Sequence, residues 1–124
     1  MSATRIYIVD ERPAVRLALV DRLSHAPNIQ VIGHTGDAEE VLAKVAEGRP
    51  DVVLVEVKRS DGMGLEIIRQ VTSMEGAPRA LVLTSYASDW EHEAARRAGA
   101  SGYVLKDIDS EELIRQIMDL AHKS

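Results

Sequence analysis

Residues 51–64 form a short apolar run that ends in an acid and a glycine-containing loop, Asp51-Val-Val-Leu-Val-Glu56-Val-Lys-Arg-Ser-Asp-Gly-Met-Gly64. The run Val52–Val55 has no polar alternation, which is typical of a strand buried on both faces of a parallel sheet. Glu56 then lies where this strand ends. Because open α/β sheets bind ligands outside the carboxyl ends of their strands, Glu56 is a candidate site residue. The alternative is an acid that is simply solvated at a strand exit.

Four other apolar runs occur along the chain at similar spacing, and each is followed by a segment with helical character. These runs are Ile6–Val9, Ile29–Ile32, Ala80–Leu83 and Gly102–Leu105. Strands that alternate with helices indicate right-handed βαβ units and a parallel sheet covered on both faces. We therefore predict one domain over residues 1–124 with a doubly wound, flavodoxin-like (βα)5 fold and strand order 2-1-3-4-5.

The ends of the helices are marked by residues with known capping roles. Pro13 suits the first position of a helix. The segments 48–50 and 76–78 each place a glycine past a helix end and a proline before the next strand. Three more helices begin with capping-box spacing, at Asp37 and Glu40, Ser88 and Glu91, and Asp109 and Glu112.

The last two helices differ in their apolar faces. The fourth, around Trp90–Ala98, offers only small residues to a core, so we expect it to be held less firmly than the others. The fifth has a strong apolar stripe, and Ile117, Met118 and Leu120 give it more apolar surface than one stripe needs. We therefore predict a weak homodimer through the last helix, paired with helix one or helix four.

Composition excludes several classes of function. With 20 acidic residues against 15 Lys and Arg, the net charge of -5 argues against direct nucleic-acid binding by this chain. The absence of cysteine excludes disulfides and thiolate chemistry, and no apolar run approaches the roughly 18 residues of a membrane span. We expect a cytoplasmic protein with no membrane contact. The histidines, predicted to lie on the surface without metal-ligand spacing, are His25, His34, His92 and His122.

Chemically active side chains follow four of the five strands. They are Asp10 and Glu11 after the first strand, Glu56 after the third, Thr84 after the fourth and Lys106 after the fifth. Because the carboxyl ends of parallel strands share one edge of the sheet, we expect one pocket to hold all five. Three carboxylates suit Mg²⁺, while an ammonium and a hydroxyl suit a phosphoryl group carried on one acid.

Each of these residues alone also has a simpler interpretation. The paired acids fit the cap region of helix one, Thr84 is a good strand former, and Lys106 fits a solvated charge at the sheet edge. Five such residues at one edge of four strands are less easily explained as coincidence, so we retain the site.

The chain resembles, over essentially its full length, the receiver domain of two-component response regulators. It is most similar to the branch with a LuxR-type helix-turn-helix output domain. The matching segments are Val9–Pro13, Asp51–Glu56 with Gly64, Leu83–Ser85 and Ala98–Asp107. The last of these is the most specific.

The resemblance implies a Mg²⁺ site and a phosphoacceptor. In the family, an aspartate at the end of the third strand takes a phosphoryl group from a histidine kinase, and Glu56 lies at that position. Mg²⁺ would be bound by Asp10, Glu11 and Glu56 together with the main-chain carbonyl of Lys58.

The resemblance also assigns three switch residues. Thr84 and Lys106 correspond to the residues that contact the phosphoryl group, and Tyr103 to the aromatic residue whose pose reports the active state. Lys58 and Tyr86 match positions that tune the access of water.

Four positions depart from the family pattern. Glu56 and Glu11 replace aspartates, Ser60 replaces the usual proline, and Met63 stands where an aspartate usually precedes the glycine. We expect the longer Glu56 carboxylate to pair with Lys106 and to bias Thr84 and Tyr103 partly toward the active arrangement.

These residues support three alternatives for function. The first is an atypical, non-enzymatic receiver that works without phosphorylation, through dimerisation or control of an output domain outside this chain. The second is a conventional receiver with Mg²⁺-dependent phosphoryl transfer from a histidine kinase. The third, a metal-dependent phosphatase, is disfavoured because the first strand ends Asp-Glu rather than Asp-x-Asp. We favour the first.

Overall fold

Strands and helices alternate along the whole of the computed structural model, which describes residues 3–123. The strands are β1 (Thr4–Val9), β2 (Ile29–Thr35), β3 (Val52–Val55), β4 (Arg79–Thr84) and β5 (Gly102–Leu105). The helices are α1 (Pro13–Ser24), α2 (Ala38–Gly48), α3 (Gly64–Thr72), α4 (Asp89–Ala98) and α5 (Ser110–Ala121). The predicted alternation of elements is confirmed.

The strands form one parallel sheet in the order β2-β1-β3-β4-β5. The predicted flavodoxin-like fold and strand order are therefore confirmed. After β1 the chain forms β2 on one side of it, and then crosses to the other side, where β3, β4 and β5 follow in order. The switch point of the topology consequently lies between the carboxyl ends of β1 and β3, where such folds place their ligands.

Strand β3 is buried completely, and its side chains divide between two cores. Val53 and Val55 belong to the core beneath α2, α3 and α4, while Val52 and Leu54 belong to the core beneath α1 and α5. Burial on both faces explains why the strand has no polar alternation. Each of these side chains contributes about 1.5–3 kcal/mol relative to an exposed one.

The predicted N-terminal caps of three helices are present. Asp37, Ser88 and Asp109 each accept a hydrogen bond from a backbone N–H in the first turn of α2, α4 and α5. The second half of the capping box is different in all three helices, because the glutamate side chains have other partners. Glu40 accepts a hydrogen bond from the Thr35 hydroxyl at 2.7 Å.

The end of α2 lies one residue later than the sequence indicates. Gly48 is the last residue of the helix, and Arg49 adopts the left-handed conformation beyond it, with φ of 49°. A Cβ at position 48 would lie 2.8 Å from Cδ1 of Ile32. Gly48 therefore packs closely against Ile32 of β2, whose side chain would have to shift to admit a Cβ, and the left-handed conformation is adopted by Arg49.

Gly64 fixes the loop that follows Glu56. A Cβ at this position would collide with the backbone of Val57, so only glycine lets α3 begin so close to the end of β3. This close contact holds residues 57–63 as a short loop above the carboxyl edge of the sheet.

The apolar surplus of α5 is smaller than predicted. Ile117 is fully buried, and Met118 and Leu120 pack partly against the same core, which removes Ile117 from any outer surface. In α4 the buried apolar side chains are only Ala95 and Ala98, as expected.

Two further expectations concern the surface. All four histidines are exposed, as predicted. Within residues 3–123, no helix combines the length and the apolar character needed to cross a membrane.

Candidate functional site

Two buried carboxylates meet at the switch point of the sheet. Asp10 and Glu56 directly follow β1 and β3, adjacent parallel strands, and are only 1% and 2% exposed. The Lys106 ammonium lies between them, 2.5 Å from Oδ2 of Asp10 and 3.0 Å from Oε1 of Glu56. The predicted ion pair between Glu56 and Lys106 is therefore present.

Arg12 is a second cation at this edge, and sequence reasoning missed it. Its guanidinium lies 3.9 Å from Oδ1 of Asp10 and 3.7 Å from Oε1 of Glu56. The sequence clue to this role was the position of Arg12, two residues after Asp10 and directly before α1. Two carboxylates are thus balanced by two cations, although the guanidinium is half exposed and contributes less than Lys106.

Glu56 uses its two oxygens differently. Oε2 accepts a hydrogen bond from the backbone N–H of Lys58 at 3.0 Å. Oε1 has no hydrogen-bond donor among the described residues, because Lys106 approaches it at ion-pair distance but outside hydrogen-bonding geometry. This buried oxygen is therefore compensated by the charges of Lys106 and Arg12 rather than by a directed hydrogen bond.

Glu11 does not join the other acids, so the expectation of three convergent carboxylates is wrong in this structure. Its carboxylate accepts hydrogen bonds from the backbone N–H of Ser60 at 2.6 Å and from the Ser60 hydroxyl at 2.8 Å. The long side chain of Glu11 reaches the loop after β3, and Ser60 offers it two donors. A proline at that position would offer none.

The acids do not fit Mg²⁺ as they are arranged. Mg²⁺ requires near-octahedral oxygen ligands, yet the oxygens of Asp10, Glu56 and Glu11 face Lys106, Arg12 and Ser60. Over residues 3–123 no three His, Asp or Glu side chains are grouped to hold a metal ion. The role predicted for the carbonyl of Lys58 stays a prediction.

The Thr84 hydroxyl belongs to a separate polar network. It accepts a hydrogen bond from the Lys58 ammonium at 2.9 Å and donates to the carbonyl of Tyr86 at 3.2 Å. In the described chain it has no hydrogen bond to Glu56 or Lys106. Lys58 instead connects the two residues, since its backbone N–H contacts Glu56 and its ammonium contacts Thr84; the predicted bias of Thr84 and Tyr103 toward the active arrangement stays a prediction.

Tyr103 joins the same network through Glu91. Its hydroxyl donates to Oε1 of Glu91 at 2.6 Å and accepts from the backbone N–H of Ser88 at 3.2 Å. The ring of His92 stacks on it with a centroid distance of 4.7 Å. Burial first, and then the hydrogen bond to Glu91, raise the pKa of Tyr103 to about 12.

Arginines of α1 hold the loops that carry the site. Arg16 donates to the carbonyl of Asp10 at 2.6 Å, and Arg22 donates to the carbonyl of Lys106 at 2.7 Å. Arg22 also contacts Ile108 and Ser110, so it fixes the whole β5–α5 loop and thereby the position of the Lys106 side chain.

Comparison of the whole chain with known proteins identifies its family. The profile of the response regulator receiver domain matches residues 6–118, and the chain therefore belongs to that family of two-component signalling proteins. It is 42% identical over 116 residues to the DNA-binding transcriptional activator DevR/DosR of Mycobacterium tuberculosis. The aligned segment covers 94% of this chain and 54% of that protein.

Solved structures give the same assignment. A two-component response regulator of the LuxR family from Aurantimonas sp. SI85-9A1 is 32% identical, with a TM-score of 0.87 over 97% of this chain and 86% of that one. The signal receiver domain of the response regulator NarL from Mycobacterium tuberculosis is 25% identical, with a TM-score of 0.91 over both full lengths. The chain spans about half the length of the curated relatives it matches.

We expect Mg²⁺ to bind only weakly, because a divalent ion must first displace Lys106 and Arg12 from the acids. In a Mg²⁺ titration followed by amide NMR, the signals near Asp10 and Glu56 should shift only when the Mg²⁺ concentration reaches tens of millimolar. The Arg12→Ala variant removes one competing cation and should bind more tightly. Tight binding by the wild type would contradict the ion-paired arrangement, and no shift at all would mean that the acids have ceased to be a metal site.

We expect Tyr103 to keep its proton well above pH 10.0, the ordinary pKa of tyrosine, and to titrate at about 12. Because the pKa is raised in the folded state, the contribution of Tyr103 to stability is complete below pH 10.0 and is lost as the pH rises toward 12. NMR of ¹³C-labelled tyrosine measures this titration directly. Glu91→Gln should lower the pKa only in part, since burial is the larger cause; titration of the wild type near 10.0 would exclude the contact with Glu91.

Proposed function

We propose that this domain is an atypical receiver that signals in the cytoplasm without phosphorylation, through contacts with other proteins. In this proposal Glu56 occupies the position of the phosphoacceptor aspartate. One observation carries it: the Glu56 carboxylate is buried directly after β3 and already paired with Lys106. The Lys106 ammonium, which in this proposal would otherwise contact a phosphoryl group, is already paired with the Glu56 carboxylate.

The length of Glu56 works against phosphoryl transfer. Its additional methylene moves the carboxylate by roughly an ångström, and a displacement of about 1 Å can slow a positioned reaction on the order of a hundredfold. A permanent carboxylate replaces a phosphoryl group only in part, since it carries one charge and two acceptor oxygens against about 1.5 to 2 charges and three oxygens. We infer an intermediate signalling state rather than a full mimic of the phosphorylated one.

The output of the domain is inferred from its relatives. DevR/DosR is described as a DNA-binding transcriptional activator, and this chain matches about half of it. We propose that the receiver controls a helix-turn-helix DNA-binding domain outside the present chain. The net charge of -5 supports an indirect role, because the receiver itself has no excess of positive charge for a phosphate backbone.

A conventional receiver, phosphorylated by a histidine kinase, is the competing function. Asp10, Thr84 and Lys106 favour it, since all three lie at the carboxyl edge of the sheet and Lys106 contacts both Asp10 and Glu56. The two functions differ in whether the Glu56 carboxylate accepts a phosphoryl group.

Incubation with acetyl phosphate and Mg²⁺, followed by intact-mass measurement, separates these functions. We expect no added phosphoryl mass on the wild type, because its acceptor is displaced and ion-paired. Glu56→Asp should gain the mass slowly, and Glu56→Gln is the matched control that lacks an acceptor. Ready labelling of the wild type on Glu56 would establish the conventional function.

Failure of Glu56→Asp to react would implicate Glu11 as a second block. The double variant Glu11→Asp with Glu56→Asp tests this directly, since a shorter side chain at position 11 would release Ser60.

We further expect a weak homodimer that uses α5 with either α1 or α4. Leu17 on α1 is 53% exposed and Trp90 on α4 is 76% exposed, so each helix offers an apolar contact. Sedimentation velocity should show association that rises with concentration, and either Leu17→Glu or Trp90→Glu should abolish it, which identifies the helix. A monomer at all concentrations would rule the dimer out.

A further inference from the structure

The Lys58 ammonium joins the loop after β3 to the start of α4. It donates to both carboxylate oxygens of Glu91, at 2.9 and 2.8 Å, to the Thr84 hydroxyl at 2.9 Å and to the carbonyl of Tyr86. An ammonium has three N–H groups, and each of them has an acceptor here. One side chain therefore connects the β3–α3 loop, the end of β4, the β4–α4 loop and helix α4.

The first turn of helix α4 buries no large apolar side chain, and it is held by the Ser88 cap, by the stack of His92 on Tyr103 and by the contacts of Glu91. Its buried apolar side chains, Ala95 and Ala98, lie in the second half of the helix, and Trp90 in the first turn points outward. Glu91 is the buried residue of that turn, at 8% exposure, and its carboxylate contacts Lys58 and Tyr103. Within this set, the ion pair of Lys58 with Glu91 is the contact that ties the first turn to the β3–α3 loop.

The same ammonium sets the direction of the Thr84 hydroxyl. While Lys58 donates to it, the hydroxyl proton is directed at the carbonyl of Tyr86. Meanwhile Oε1 of Glu56 has no hydrogen-bond donor among the described residues. Lys58 is also bonded to Glu56 itself, through its backbone N–H. It therefore contacts both the acid at the end of β3 and the hydroxyl at the end of β4.

We propose that the ion pair between Lys58 and Glu91 is a conformational latch. When closed, it fixes the first turn of α4 and keeps the Thr84 hydroxyl turned toward Tyr86. When open, it releases both together. The latch does not depend on whether Glu56 is ever phosphorylated, so it stands or falls separately from the function proposed above.

A double-mutant cycle tests the latch in the chain as it exists. Lys58→Met removes the ammonium, and Glu91→Gln removes the charge but leaves an oxygen that Tyr103 can still reach. We expect each change to raise the hydrogen exchange of the Glu91 and His92 amides, which are hydrogen-bonded to Ser88, at least about fivefold. The double variant should exceed neither single one. The γ-methyl signal of Thr84 should shift in all three variants, as its hydroxyl loses a fixed direction.

Glu93→Gln is the matched control on the same helix. Glu93 pairs with Arg96 and Arg97 at the exposed face, so its loss should leave Thr84 and the first turn unchanged. Trp90, the sole tryptophan, is the neighbour of Glu91 in the sequence, so quenching of its fluorescence gives a second measure of the first turn that needs no isotope labels. Additive effects of the two latch variants, an equal effect of Glu93→Gln, or an unchanged Thr84 signal would each overturn the proposal.

Discussion

Two carboxylates that cannot be hydrated impose the central constraint on this domain. The topology places Asp10 and Glu56 at the ends of adjacent strands, where both are almost fully buried. Buried charges require partners, and removing one partner of such a set typically costs about 3–5 kcal/mol. Lys106 supplies the compensation, and Arg22 fixes the loop that brings it there. The position of the β5–α5 loop, and with it the start of α5, follows from this requirement.

The cations at the sheet edge divide the site into two units. Lys106 serves the acids at the switch point, and Lys58 serves Thr84 and the start of α4. Thr84 therefore belongs with the second unit, although sequence reasoning placed it with Glu56. The two units meet at Lys58, whose backbone contacts Glu56 while its side chain contacts Thr84. Glu56 is consequently linked to α4 through one residue, by the hydrogen bond to the Lys58 N–H and the ion pair of the Lys58 ammonium with Glu91.

The fold was predictable because its signals are local. The unbroken apolar run of β3 and the N-caps Asp37, Ser88 and Asp109 depend on a few neighbouring residues, and all are confirmed. Long-range partners were not predictable. Glu91 has the spacing of a capping-box residue, but its carboxylate bonds to a lysine 33 positions away. Gly48 was likewise predicted to lie past the end of a helix, because it precedes Pro50 in the sequence. Its contact with Ile32 of β2 is long-range, and the sequence does not indicate it.

The departures of this chain from the receiver pattern are physically related to one another. Ser60, in place of a proline, provides the two donors that bind the longer side chain of Glu11. With Glu11 withdrawn, fewer negative charges remain at the switch point, and Lys106 and Arg12 balance the remaining two. A divalent ion is then no longer needed for charge neutrality. Glu56→Asp alone would leave the contact between Glu11 and Ser60 in place, which is the physical reason why the single variant is expected to react only slowly.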